Sequence, residues 1–314
     1  RRRTRDGGGV RLGEEVARYV ALQRSCGLKF DKGNDILLRF ATDAQGPGDE
    51  FMRSERIIDW CRSASSPRRA RTFYAAIRRF CLFLHAENAQ HEIPPEGAFG
   101  SGRSRRPAPH LLDLHQVSAI MAAALKLPPA GKISPHTYHY LFGLLAVTGL
   151  RIFEALALKR ADFTGEGLII RRGKLGKSRL LPIHPTTRQA LDRYLSIRDE
   201  LNADGDDLFV VTTGEAPHKT TAYQTFRRLA HLTGVRELGA TPGPCVHDLR
   251  HSFAVRSLEA CSHDRRAIAN HMLALSTYLG HSEVTHTYWY LEATPVLLRD
   301  VANAGEKLFH GRAS

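Results

Sequence analysis

The 314-residue sequence predicts a mostly α protein with one small β-sheet, in which a helical N-terminal domain is joined by a linker to an α+β domain. Three observations predict it. Apolar residues recur at helical spacing in one segment after another. A single stretch, Gly167 to His184, instead flanks the polar GKLGKS with two short apolar runs, Leu168-Ile169-Ile170 and Leu180-Leu181-Pro182-Ile183, the pattern of a β-hairpin with a basic turn. Between Pro94 and Pro109, four prolines, three glycines and Arg103, Arg105 and Arg106 make a composition unsuited to a packed element.

Taken in order, residues 1–9 (RRRTRDGGG) carry four arginines and three glycines with no apolar residue and read as a flexible basic arm. Leu12, Val16, Tyr19 and Val20 share one face of a helix that Gly27 stops, and shorter helical stretches follow near 33–43 and 50–63. Ser66-Pro67 opens a stronger helix, with Phe73, Ile77, Phe80, Cys81 and Leu84 on one face and Arg68, Arg71, Arg78 and Arg79 largely off it. Residues 10–93 therefore form an N-terminal helical domain, 94–110 the linker and 111–314 the second domain. In the second domain helices are expected over 113–126 and 136–147, the latter ending at Thr148-Gly149, with a short one from Leu150. Beyond the hairpin come helices over 186–201, 219–233, 247–260 and 295–309. There is no internal repeat.

Forty-five Lys and Arg against 32 Asp and Glu leave a formal charge of +13, which favours a polyanionic partner. The N-terminal 110 residues hold 21 of the basic and 13 of the acidic residues. With 42% hydrophobic and 25% charged residues the composition excludes wholesale disorder and a collagen-like repeat. The longest apolar run, Leu141 to Leu150, is interrupted by Thr148 and Gly149 and falls far short of the ~20 residues of a membrane span, so a soluble protein is expected. No secretory signal opens the chain, and the missing initiator Met implies a longer natural sequence. Five cysteines without a CxxC pair point to a reduced, cytoplasmic setting, each as a small buried hydrophobe.

Three clusters carry chemistry. In Thr148-Gly149-Leu150-Arg151-Ile152-Phe153-Glu154, Arg151 stands in the first turn of a helix with Glu154 three residues on. Alone that is an ordinary surface pair, but the helix start also attracts anions. In His247-Asp248-Leu249-Arg250-His251, His247 and Arg250 share a helical face, which alone could be a polar helix start. Leu279-Gly280-His281 precedes Thr285, Thr287, Tyr288, Trp289 and Tyr290, an aromatic group that alone would be core packing. Together, in this order and approximate spacing, TGLRxxE, HDLRH and LGHxxxxxxxxY resemble the tyrosine recombinase (phage integrase) family. The motifs span about 113–292, and the N-terminal module matches the family's plan by architecture. The interval from Arg250 to His281 is longer than is usual there, the extra residues lying in CSHDRRAIANHMLALS.

The resemblance implies that Arg151 and Arg250 hold a scissile phosphate. His247 and His281 are then the two site histidines, and Tyr290, nine residues after His281, is the nucleophile. Lys174 in the hairpin turn is the catalytic lysine, with Lys177 as the competing assignment, and Glu154 is a supporting carboxylate. Tyr288 is a decoy, because residues two apart on a helix point about 200° away from each other. These residue types suit strand cleavage without metal. Two guanidinium groups favour phenolate over a phenol whose ordinary pKa is about 10, and they neutralise the pentacoordinate phosphorane. The covalent phosphotyrosine conserves bond energy for rejoining, while a lysine can protonate the leaving 5′-oxygen.

No acidic metal cluster and no phosphate-binding GxxxxGKS loop appears, so no cofactor is implied, and His247/His251 at i, i+4 lack a third ligand for zinc. The expected function is a site-specific recombinase of the integrase or transposase type. A type IB topoisomerase-like relaxer and a catalytically silent DNA-binding protein are the alternatives. The expected partner is double-stranded DNA with paired half-sites. It would be contacted in part by Arg68, Arg71, Arg78, Arg79, Arg105 and Arg106, and bound by a tetramer of this chain or with related recombinases; free in solution the chain is expected to be a monomer, with no membrane partner. Val296, Leu297, Val301 and Leu308 make the 295–309 helix amphipathic, fit either to fold back on its own core or to dock on a neighbour.

Overall fold

A computed structural model describes residues 8–44, 51–100, 109–171, 178–237, 239, 243–261, 265–281, 283 and 285–292. The chain divides into two compact units, Arg1–Arg106 and Pro107–Ser314.

The first unit holds α1 (Gly8–Ser25), α2 (Asp31–Ala44), α3 (Ser54–Arg62) and α4 (Pro67–Glu87). Both sequence stripes turn inward: Leu12, Val16, Tyr19 and Val20 of α1 meet Phe73, Ile77, Phe80, Cys81 and Leu84 of α4 in one core with Leu37, Phe40 and Ile57. The Ser66 side chain accepts from the Arg69 backbone N–H at 3.3 Å and Pro67 supplies the first turn, so α4 begins where its sequence signal places it. The expected linker differs at its start. Tyr74 donates to the Pro95 carbonyl, Arg78 Nε donates to the Pro94 carbonyl at 3.0 Å, and the Phe99 ring lies 5.1 Å from that of Tyr74. Proline-rich chain, with one turn of its own between Gly97 and Gly100, is thus strapped to α4 by donors on that helix. Arg103, Arg105 and Arg106 lie outside the described residues.

In the second unit α5 (Leu114–Ala124) starts with a reciprocal cap between Asp113 and Gln116. The next helix, α6 (Ile133–Thr148), is apolar on nearly every side and packs against α5, α8 (Pro185–Glu200) and α10 (Val246–Glu259). Gly149 ends α6 at φ +62°, a left-handed conformation, and a Cβ there would sit 2.5 Å from the Phe253 ring. The chain reverses into α7 (Ile152–Leu156) and a three-stranded antiparallel sheet, β1 (Phe163–Thr164), β2 (Gly167–Ile170) and β3 (Arg179–Leu181), in that order. Leu168 pairs with Leu181 and Ile170 with Arg179, while Phe163 pairs with Leu168, so the expected hairpin gains a third strand. Its turn, with Lys174 and Lys177, lies outside the described residues, as does the expected 295–309 helix.

Then follow α9 (Lys219–Leu232), α10, α11 (Arg265–Leu279) and α12 (Thr285–Glu292). Helix α11 occupies the segment that sequence reading treated as extra length. Its Met272, Leu275 and Leu279 join Ala254, Val255 and Leu258 of α10 and Tyr290 of α12 in a second, smaller apolar cluster. Cys61 and Cys81 are buried as expected, but Cys26 and Cys245 are exposed and Cys261 is half-buried. Among the described residues no helix is long and apolar enough to cross a membrane.

One buried cation shapes the loop after α8. Arg198 is fully enclosed and donates to the carbonyls of Ala203, Gly205, Asp207 and Leu208 at 2.6–3.2 Å. Arg198→Met keeps the stem and orphans these acceptors. With each buried unsatisfied group costing roughly 1–3 kcal/mol, a destabilisation of about 3 kcal/mol or more is expected in denaturant unfolding of the full chain.

Candidate active site

The geometry starts at the carboxyl end of α11. Gly280, at φ +65°, closes that helix: its N–H reaches the Thr277 carbonyl at 2.9 Å, and the His281 N–H reaches Ser276 at 3.0 Å. This cap leaves the carbonyls of residues 278–280 pointing out of the helix. Three arginines from three other elements take them. Arg179 Nε on β3 donates to Tyr278 O at 3.1 Å. Arg250 Nη2 on α10 and Arg151 Nη1 at the start of α7 both donate to Leu279 O, at 2.9 and 3.2 Å, and Arg151 Nη2 donates to Gly280 O at 3.1 Å. Arg250 also donates to Gly149 O at 2.7 Å. The glycines of the first and third motifs are therefore close-approach positions: a Cβ on Gly280 would stand 2.7 Å from the Arg179 guanidinium.

Two guanidinium groups on one carbonyl oxygen repel each other. Arg250, 2% exposed, has its pKa pushed down to about 10, first by burial and then by Arg151, with Tyr290 and Glu154 acting the other way. The compensating anion is Glu154, whose side chain is 1% exposed. Its Oε1 accepts from Arg151 Nη1 and Arg179 Nη1, and its Oε2 from the Arg151 backbone N–H and Arg179 Nη2, all at 3.1 Å. Burial opposes ionisation of this carboxyl, but the paired Arg179 contact, Arg179's charge and the Arg151 N–H outweigh it, so its pKa lies below the ordinary carboxylate range. Arg151 is the N-cap residue of α7 and not part of its first turn, and Glu154 at the third helical position bonds its N–H.

The tyrosines divide as their spacing requires. Tyr290 is 3% exposed and Tyr288 54%. The Tyr290 hydroxyl is hydrogen-bonded to Arg250 and lies 3.2 Å from His251 Nδ1. The His281 ring lies parallel to that of Tyr290, 6.2 Å away, with Nδ1 at 2.8 Å from Thr287 Oγ1. His247 is exposed and meets the His251 ring edge-on at 4.5 Å. The structure thus brings Arg151, Glu154, His247, Arg250, His281 and Tyr290 into one cluster. Sequence reading missed two members. Arg179 had a signal in the one charge that opens the apolar run LLPI, and His251 had one in its place beside Arg250, although it was weighed only as a zinc ligand. Among the described residues no group of three or more His, Cys, Asp or Glu could hold a metal ion.

In the N-terminal unit Arg68 and Arg79 are exposed on α4 and Arg71 is half-buried. Arg78, half-buried, is bound to the Pro94 carbonyl and paired with Glu96 at 3.0 Å where the strap of residues 94–100 runs past it.

Helical units with a small antiparallel sheet, and paired arginines beside a buried tyrosine, define an enzyme that breaks and rejoins DNA strands through tyrosine. The chain belongs to the phage integrase family, which matches residues 110–295. The Sinorhizobium fredii protein y4rB, described as an integrase/recombinase, is 32% identical over 95% of this chain and 98% of its own length. Tyrosine recombinase XerD of Rhizobium meliloti is 29% identical over 72% of this chain and 70% of its own. Among solved structures, the XerH site-specific recombinase in a post-cleavage complex with difH substrate aligns at TM-score 0.65 and 18% identity, covering 94% of this chain and 85% of that one. A λ integrase tetramer on a Holliday junction aligns at 0.65 and 17%, covering 89% and 76%.

The Arg179–Glu154 contact predicts a second-order effect on chemistry. In Arg179→Gln, burial of Glu154 is no longer opposed by its main partner, its carboxyl rises, and protonation then deprives Arg151 of its anion. Cleavage should slow roughly 10–100-fold, the equivalent of a hydrogen bond to a charged group. The loss should deepen as pH falls from 8 to 6 in single-turnover kinetics, a trend absent from the native chain.

Proposed function

We propose that this chain is a site-specific DNA recombinase in which Tyr290 attacks the scissile phosphate, forms a 3′-phosphotyrosine and releases a 5′-hydroxyl. The observation that carries this reading is the position of the Tyr290 hydroxyl, buried against Arg250 in a pocket whose other guanidinium, Arg151, shares the Leu279 carbonyl. Arg151, Arg179 and Arg250 face the single carboxylate of Glu154, so the cluster beside the phenol keeps a net positive charge that a phosphodiester can neutralise. Planar N–H donors of Arg151 and Arg250 bind the non-bridging oxygens and stabilise the phosphorane. His281 and His247 hydrogen-bond the phosphate, and Lys174, with Lys177 as the competing assignment, protonates the leaving oxygen.

The partner is duplex DNA carrying paired half-sites, engaged by both units, with Arg68, Arg71 and Arg79 of α4 at phosphates or in the major groove. The λ integrase relative on a Holliday junction is a tetramer. For this chain we read a DNA-dependent tetramer of one kind or with related recombinases, a monomer when free, and a cytosolic location where DNA is accessible.

A nicked suicide duplex traps the intermediate. Tyr290→Phe should bind DNA with native affinity and form no covalent complex, while Tyr288→Phe forms it; the reverse result would assign the chemistry to Tyr288. Sequencing the DNA recovered from the native complex identifies the site. Arg151→Lys and Arg250→Lys should each cleave at least about 100-fold more slowly, since an ammonium cannot make the bidentate contact, and cleavage near the native rate would remove them from the phosphate. Strand exchange between two labelled duplexes separates recombination from relaxation.

The same reading fixes a salt response. Removing Arg68 or Arg79 should lower the log–log salt slope of DNA binding by about 1 each and weaken binding across sequences. An unchanged slope would place these residues off the DNA.

A further inference from the structure

We infer that His251, one residue past the second arginine, is the proton acceptor for Tyr290. The inference rests on Tyr290 being the nucleophile. His251 Nδ1 stands 3.2 Å from Tyr290 Oη, within the range a general base needs, with the two rings 5.5 Å apart. The two histidines that the family motifs single out make other contacts in addition. His281 directs Nδ1 to Thr287 Oγ1 at 2.8 Å and turns its ring face toward Tyr290, and His247 is exposed, with its ring across that of His251.

Arg250 and His247 on the same helix, Arg151 beyond Arg250 with its paired carboxylate Glu154, and His281 from the turn after α11 are the charged and titratable groups about the His251–Tyr290 pair. With Nδ1 unprotonated, His251 accepts the hydrogen bond that the phenol donates. A bound phosphodiester adds negative charge and makes an imidazolium tolerable at the moment the proton moves. In cleavage the Tyr290 Oη–H bond breaks, its proton passes to His251 Nδ1, Oη bonds to phosphorus, and the P–O5′ bond breaks, with the leaving oxygen protonated by the general acid. Rejoining runs the same steps backwards: the 5′-oxygen attacks phosphorus, and the imidazolium returns its proton to the departing phenolate.

The test uses the full chain and a nicked suicide duplex bearing the site recovered with the native protein. His251→Asn places an amide oxygen near the position of Nδ1 and keeps an acceptor without basicity, and His251→Ala removes both. Both variants should bind the duplex with native affinity and unfold at the native temperature, yet form covalent complex about 100-fold more slowly or worse. Their rates should climb about tenfold per pH unit between pH 7 and 9, because the phenolate fraction now limits them, while the native rate stays level. A 5′-thiolate leaving group, which relieves only the general acid, should not restore them. Native-rate cleavage by His251→Asn would reduce His251 to a hydrogen-bonding support, and slowed variants with a level pH profile would make its role structural; either result overturns the inference. Covalent complex in Tyr290→Phe would instead overturn the assignment of the nucleophile on which it rests.

Discussion

The candidate active site hangs on three carbonyls at the carboxyl end of α11 and in the glycine that caps it. A helix carboxyl end carries about half a negative charge in groups that have no partner of their own, and here Tyr278, Leu279 and Gly280 present those groups to Arg179, Arg250 and Arg151. One backbone turn thereby gathers side chains from β3, α10 and α7. The arrangement is tolerable only because Glu154 adds a full anion behind two of the three cations. The arginines are held by backbone geometry that no side-chain substitution on α11 can easily remove, apart from loss of the glycine that lets the turn close.

The same turn explains the division of labour among the cores. The large core around α6 is made of ordinary aliphatic and aromatic packing. The smaller cluster of α10, α11 and α12 includes Tyr290 among its buried members, so the proposed nucleophile is also a packing residue. Its ring is fixed by apolar contact and its hydroxyl by polar contact, which leaves little conformational freedom to lose when a substrate binds.

Much of this was legible in the sequence, for identifiable reasons. The stripes Leu12 to Val20 and Phe73 to Leu84 lie at helical spacing, and both are buried. The motif residues were legible because their types and intervals repeat a known pattern. Helix α11 was not read, although Ile268, Met272, Leu275 and Leu279 follow a helical period, because a polar opening and His271 diluted the signal. Arg179 and His251 were passed over since their roles come from contacts across 25 and 39 residues of chain, which local pattern does not encode. The strap of residues 94–100 was read as linker because the bonds that tie it down come from Tyr74 and Arg78 on α4.

The eight-residue helix that bears both Tyr288 and Tyr290 carries a further consequence, one for inheritance. Each residue added inside it before Tyr290 would rotate that side chain by about 100°, turning the buried phenol outward while every motif letter survives. The stretch between Arg250 and His281 obeys no such phase rule, since surplus residues there are taken up as helix. A lineage of such proteins can therefore drift freely in length on one side of His281 and be silenced by a single codon on the other.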